Sequence, residues 1–245
     1  MTIETRRITV SRIPVELVRK EIENLHLGVY PPDGRVRIAV PVSIDDKAVR
    51  LAVIEKLKWI KRQQARFKSQ ARESKREMTT GESHYVFGTR YRLQIIHRSG
   101  VPCVRIRNRS RLELYVRPEA NADQRRRILQ CWYRDRLKEA IPPLLKKWQS
   151  ILDSPVSHYR IKRMKTKWGA CNTEAHRIWI NLELAKKPVQ CLEYVIAHEL
   201  AHFIERYHND RFVAILDRHL PQWRLRRAEL NSAPLAHEHW NKKTS

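Results

Sequence analysis

Glycine is scarce in this 245-residue chain, with six in all, which excludes collagen-like repeats and glycine-rich linkers. The four cysteines, Cys103, Cys131, Cys171 and Cys191, stand 28, 40 and 20 residues apart and form no CxxC pair. Neither a thiolate zinc site nor a thioredoxin-like redox motif is supported by that spacing. In a reducing compartment such cysteines are small buried hydrophobes. No apolar stretch is long enough to span a bilayer. The opening residues Met1-Thr2-Ile3-Glu4-Thr5-Arg6-Arg7 have no apolar segment behind their charges, so a secretory signal is not expected. The expectation is a cytoplasmic protein with no membrane partner. Acidic side chains are the last shortage: 26 Asp and Glu face 50 Lys and Arg, leaving a net charge of +24. Residues 1–154 hold 34 basic and 17 acidic groups, so most of the excess lies there. A field of that sign attracts nucleic acids, nucleotides or acidic proteins.

The length suits one elaborated domain or two small ones, with no need for disulfide staples. An N-terminal β-rich part over 1–117 and a catalytic part over 118–245 are expected. Ile3, Ile8, Val10, Ile13 and Val36–Val40 alternate like antiparallel strands around a Tyr30–Gly34 turn. Asp45 or Asp46 can cap a helix that buries Val49, Val53, Leu57 and Ile60. This helix continues into a basic stretch, with nine cations and one acid between Lys56 and Arg76. Arg62, Arg66, Lys68, Arg72 and Lys75 would share one face, read as solvated before it is read as a nucleic-acid surface. Residues 84–117 alternate again and suggest three or four antiparallel strands. Asn121 opens a helix that Pro142-Pro143 should kink or restart. There is no internal sequence repeat.

The chemistry lies in the last ninety residues. Strands are expected at Tyr159–Lys162 and Arg177–Leu182, and Pro188 opens an apolar helix carrying His198-Glu199-Leu200-Ala201-His202. Residues four apart on a helix share a face, so both imidazoles can reach one Zn²⁺ at ~2.0 Å. Glu199 is rotated by about 100° and is suited to act on a water held there. Roughly 0.04 such motifs are expected by chance in a chain of this composition. His208 is the preferred third ligand, with Glu205, Glu229 and Glu238 as alternatives. On an unbroken helix His208 would lie about 9 Å beyond His202, so the helix must stop near Arg206 and the chain turn back. Asn209-Asp210 supplies that turn and a new helix cap. The spacing from His202 to His208 matches metzincins, yet Glu205 stands where their glycine would be and no methionine follows. His237-Glu238-His239 reads as a solvated tail.

Taken together, Arg163–Cys171, Ile180-Asn181-Leu182, Tyr194–His202 and His208–Phe212 resemble the YgjP-like metallopeptidase family, a group related to the SprT-like and WLM families. Ala170 stands where that family commonly has serine. The resemblance implies an α+β, zincin-like catalytic domain with the HExxH helix under a small sheet. A β-rich N-terminal part with a long basic helix would precede it. It implies Zn²⁺ on His198, His202 and His208, and Glu199 as the catalytic carboxylate.

The leading expectation is therefore zinc-dependent hydrolysis of a peptide or protein, Glu199 serving as general base and then acid. An extended substrate would pair with the Arg177–Leu182 strand. Arg163, Lys165, Lys167, Asn181 and Tyr207 are the expected substrate contacts. Two rivals use the same residues. One hydrolyses a nucleotide phosphoanhydride, which the cations Lys162, Arg163, Lys165 and Lys167 would favour. The other is a basic nucleic-acid-binding protein in which zinc is structural.

Overall fold

The computed structural model describes residues 4–30, 34–69, 77–164 and 167–232. These fall into two compact units, one within Met1–Arg72 and one within Glu73–Glu238. The expected boundary between residues 117 and 118 falls inside the second unit. Leu93, Leu112, Leu114 and Val116 on one side of it share a core with Leu137, Ile141 and Leu192 on the other.

The first unit runs β1 (Glu4–Val10), β2 (Ile13–Lys20), β3 (His26–Tyr30), β4 (Arg35–Pro41), α1 (Asp46–Glu55) and α2 (Leu57–Ser69). Alternation puts Val15, Leu17, Val36, Ile38 and Val40 on one face, where Val49, Val53 and Ile60 cover them. Asp45 caps α1 by accepting from the Ala48 N–H. The single long basic helix expected here is instead two helices. Lys56, at φ −94° and ψ 6°, interrupts the run, and both segments still deliver apolar side chains to one cluster. Of the expected cationic face, Arg62 lies on α2, while Arg72 and Lys75 are outside the described residues, as are the side chains of Arg66 and Lys68.

The second unit opens with β5 (Ser83–Val86), β6 (Thr89–His97), β7 (Cys103–Arg107) and β8 (Arg111–Val116). Its sheet has the order β5-β6-β8-β7, the same arrangement as β1-β2-β4-β3. Neither sheet is antiparallel throughout, contrary to expectation. In each, the third strand skips one position and the fourth fills the gap, so β4 lies parallel to β2 and β8 parallel to β6. Alternating hydrophobicity records which face is buried and says nothing about strand direction.

Helix α3 (Ala122–Leu152) follows. Asn121 accepts from the Gln124 N–H at 3.0 Å while the Gln124 side chain accepts from the Asn121 N–H, a complete capping box. The helix continues through Pro142 and Pro143, where a kink or restart was expected. Both prolines are exposed, as are Lys138 and Glu139 one turn earlier, so water can satisfy the carbonyls left without donors. Leu137, Ile141 and Trp148 line the buried side.

A three-stranded sheet of β9 (His158–Lys162), β10 (Gly169–Asn172) and β11 (Arg177–Asn181) has the order β10-β11-β9. The 3-10 turn Leu182–Lys186 leads into α4 (Val189–Ala201), followed by α5 (Asp210–His219) and α6 (Trp223–Ser232). Helix α4 packs against α3, β10, β11, α5 and α6, which explains its apolar circumference. Among the described residues, no helix is long and apolar enough to cross a membrane.

Leu137 is fully buried, so Leu137→Ala should destabilise the protein by about 3 kcal/mol. Asn121→Ala removes only the cap and should cost about 1 kcal/mol. Urea unfolding of both variants tests the ranking.

Candidate metal centre

Helix α4 ends at Ala201, and His202 is the first residue past its last turn. The chain then unwinds. Phe203 and Ile204 N–H groups donate to Leu200 and Ala201 carbonyls in tight turns, and Asn209 N–H donates to Tyr207 O. Asn209 restarts a helix, its side chain accepting from Phe212 N–H at 3.0 Å. The stop comes five residues earlier than Arg206, and it brings His208 back over the end of α4. One nitrogen from each of His198, His202 and His208 lies within 4.8 Å of the others. Phe212, 2% exposed, is the wedge that holds them. Its ring centroid is 5.0, 4.7 and 4.7 Å from those of His198, His202 and His208.

The proton positions follow from partners. His202 Nδ1 is 3.1 Å from the Glu205 carbonyl oxygen, which can only accept, so Nδ1 carries the hydrogen and Nε2 keeps its lone pair. The Nε2 atoms of His198 and His208 face each other at 3.1 Å. Two nitrogen lone pairs so close need a proton or a cation between them. Burial, helped by the neighbouring rings, pulls the His198 pKa down to about 3, and His202 and His208 are also shifted down by desolvation. All three are therefore neutral near pH 7. Three neutral imidazole nitrogens fit Zn²⁺ or another borderline transition metal and suit Ca²⁺ or Mg²⁺ poorly.

Glu199 points the other way around α4 and is buried against β10. Burial pushes its carboxyl up to about 7, against the opposing pull of a Cys171 hydrogen bond and the Lys167 charge. Cys171 donates its S–H to this carboxylate, and burial beside it drives the thiol up to about 12. Gly169 permits the close approach: a Cβ there would lie 2.5 Å from Glu199 Oε1 and 2.8 Å from Val195 Cγ1.

The other expected site residues scatter. Lys167 is exposed, with its charge near Glu199. Lys165 lies outside the described residues, as do Glu238 and the whole His237–His239 cluster. Asn181 is buried, and its amide is saturated. Nδ2 donates to the carbonyls of Met164 at 2.9 Å and Lys167 at 2.8 Å, while Oδ1 accepts from the N–H groups of Met164 and Glu183. It ties Met164 and Lys167 to the end of β11 and has no group left for substrate. Arg163, next to Met164, is half-buried. Tyr207 is 68% exposed, with Arg206 at 6.0 Å from its ring. Among the alternative ligands, Glu205 accepts from Tyr207 N–H at 3.1 Å and Glu229 lies beside Cys191.

Two contributors escaped the sequence reading. Phe212 looked like one member of a core stripe. Arg227 on α6 went unremarked in the sequence, yet its charge helps to lower the pKa of His198 and His208. Its guanidinium sits 5.9 Å from the Trp223 ring, which stacks on Tyr194, and Tyr194 meets His198 edge-on at 5.7 Å. The spacing of Trp223 and Arg227, one helical turn, was the available signal.

Comparison with known proteins gives one extended match. A family model described as "YgjP-like, metallopeptidase domain" matches residues 25–233. Two solved zymogen structures are similar over part of the chain. Abylysin of Pyrococcus abyssi is 19% identical over 36% of this chain and 89% of its own, with a TM-score of 0.34. Jannalysin of Methanocaldococcus jannaschii is 23% identical over 37% of this chain and 85% of its own, with a TM-score of 0.33. No curated protein matches the chain.

Stability of the metal-free protein should report the buried carboxyl. A folded pKa of about 7 against an unfolded 4.5 means the favourable contribution is whole below pH 4.5 and is lost as pH rises through 7. The difference in unfolding free energy between Glu199→Gln and the parent, both without metal, should grow by up to about 3 kcal/mol between pH 4.5 and 7.5. Taking that difference cancels His198, whose lowered pKa acts in the opposite sense.

Proposed function

Because the chain belongs to the YgjP-like metallopeptidase family, we propose that it hydrolyses peptide bonds with a Zn²⁺ held by His198, His202 and His208. One observation carries this reading: three neutral imidazoles converge at the end of the same helix whose last turn buries the Glu199 carboxyl. When bound, the ion supplies Lewis acidity toward a carbonyl oxygen and makes a coordinated water more acidic. Glu199, with a pKa close to the working pH, takes a proton from the attacking water and returns it to the leaving amine nitrogen. The S–H of Cys171 and the charge of Lys167 keep that carboxylate oriented and ionisable. Arg227 adds positive charge on the imidazole side, where negative charge develops on the scissile oxygen.

The substrate strand needs an open sheet edge. Most of the Arg177–Leu182 segment expected to receive it forms β11 (Arg177–Asn181), which is central and paired on both sides. Strand β10 is an edge and is also the strand that touches Glu199. An extended peptide added to β10 would run past the carboxyl, its main chain pairing with that edge and its side chains alternating in and out.

Zinc-loaded wild type, Glu199→Gln and His208→Ala should be incubated with a mixed peptide library and, separately, with nucleoside triphosphates. The wild type should cleave peptides, and Glu199→Gln should lose at least about 100-fold in rate while still holding one metal per chain. His208→Ala should lose the metal itself. Phosphate release that disappears in Glu199→Gln, with no peptide cleavage by the wild type, would replace peptidase by phosphoanhydride hydrolase. Gly169→Ala gives a further check. Its methyl group must displace Glu199, so turnover should fall while metal stoichiometry stays at the wild-type value.

A further inference from the structure

From Ser83 to Arg117 the chain carries eight arginines, no lysine, and a single acid, Glu113. All eight, Arg90, Arg92, Arg98, Arg105, Arg107, Arg109, Arg111 and Arg117, are exposed. The alternation of β6, β7 and β8 gives this composition a location. Leu93, Val104, Leu112, Leu114 and Val116 face the core, so Arg92, Arg105, Arg107 and Arg111 stand on the opposite, outer face.

Register sharpens the point. Arg111 is paired with Arg92 on one side and with Arg107 on the other, so three arginines form one cross-strand row. Like charges directly opposite one another destabilise a sheet, and the row has little to offset this. Among the described residues Glu113 is the acid paired with it, 3.4 Å from Arg107 Nε, and it also accepts from the Tyr115 hydroxyl at 2.7 Å. Arg92 donates to the Gly81 carbonyl at 3.0 Å, which leaves its charge uncompensated. Helix α3 is also basic, with eight cations and three acids, but three of its cations are each paired with an acid of the same helix: Arg126 with Asp123, Arg136 with Glu139 and Lys138 with Asp135. The row of three arginines in the sheet has a single acid beside it.

The second feature of this face is aromatic. Tyr115 sits in the row next to Glu113, with the Arg98 guanidinium 4.3 Å from its ring centroid and that of Arg105 at 5.7 Å. A guanidinium lying on a tyrosine presents its own outer plane for stacking. Strands lie ~4.8 Å apart across a sheet, so the three arginines of the row are evenly spaced. Arginine in place of lysine gives each a planar fork matched to phosphate.

We propose that the outer face of the β5–β8 sheet binds single-stranded nucleic acid. Backbone phosphates lie on the Arg92–Arg111–Arg107 row, and a base stacks on the Arg98–Tyr115 pair. An acidic peptide would satisfy the charges but would have no use for the stacking plane. This surface is distinct from the basic face around Arg62, which the sequence reads as solvated in preference to a nucleic-acid surface, and it does not depend on the reaction at the histidines.

The test is fluorescence anisotropy of a short labelled single-stranded oligonucleotide across a salt series. The triple variant Arg92→Ser/Arg107→Ser/Arg111→Ser is compared with a charge-matched control on α3, Arg126→Ser/Arg136→Ser/Lys138→Ser. The sheet variant should bind at least tenfold more weakly, with the salt slope reduced by about 2, as expected for three lost phosphate contacts. The helix control should stay within about threefold of wild type, since its cations are paired with acids. Tyr115→Leu should weaken binding with the slope unchanged, because stacking releases no counterions. The melting temperature of the sheet variant should not fall, since the repulsive row is relieved. Equal losses in both triple variants would reduce the effect to bulk charge and overturn the proposal. Tighter binding to duplex or to polyglutamate than to the single strand would overturn it as well.

Discussion

Desolvation at the C-terminal end of α4 is the constraint to which the second unit is built. The Glu199 carboxyl is buried there and the His198 and His202 rings are half-buried, and desolvation drives each in its own direction: Glu199 toward the acid form, His198 toward the base form. Buried polar groups are tolerated only where partners or an ion compensate them. The surrounding elements supply that compensation. Strand β10 brings the Cys171 thiol, the Asn209 cap sets the Phe212 ring between the imidazoles, and Glu205 turns its carbonyl toward His202. The histidine cluster and the packing of α4 are therefore one problem with one solution. A helix with apolar residues on every side is what sheets and helices must enclose if the last turn is to stay dry.

Helix geometry explains why the centre cannot be built on α4 alone. His198 and His202 share a face because they are one turn apart, and no later residue on the same straight helix can meet them. The chain must break and return. The break was legible in the sequence because asparagine is a strong helix cap and a good turn residue, and His208 immediately precedes it. The position of the stop was less legible. Sequence placed it near Arg206, whereas the helix ends at Ala201, since tight turns at Leu200 and Ala201 have no composition of their own. Apolar residues such as Ile204 and Phe203 could equally have continued a helix.

What else the residues hid has a common cause: it depends on neighbours distant in sequence. Strand β10 is four residues long and begins at a glycine that serves a carboxyl thirty residues later. Period-two patterns located the strands of both four-stranded sheets but could not distinguish a parallel centre from an antiparallel one. Pro142 and Pro143 read as a break because local rules count the lost donors. Only the fold shows that those carbonyls face water. Arg227 belongs to the site through Trp223 and Tyr194, a stack assembled from two helices. Asn181 went the opposite way, from expected contact to a fully bonded strut.

Strand β10 then joins the chemistry to recognition. One of its edges pairs with β11 and the other pairs with no strand among the described residues, while its face presses on Glu199. The absence of a side chain at Gly169 is what lets strand and carboxyl approach so closely. A peptide recruited to the open edge would therefore be registered against the same backbone that fixes the base. Misplacing the strand would move the carboxyl and the substrate together, keeping their mutual alignment but not their alignment with the imidazoles. The proposed reaction would need rigidity between β10 and α4, and the close contact of Gly169 with Val195 and Glu199 is suited to give it.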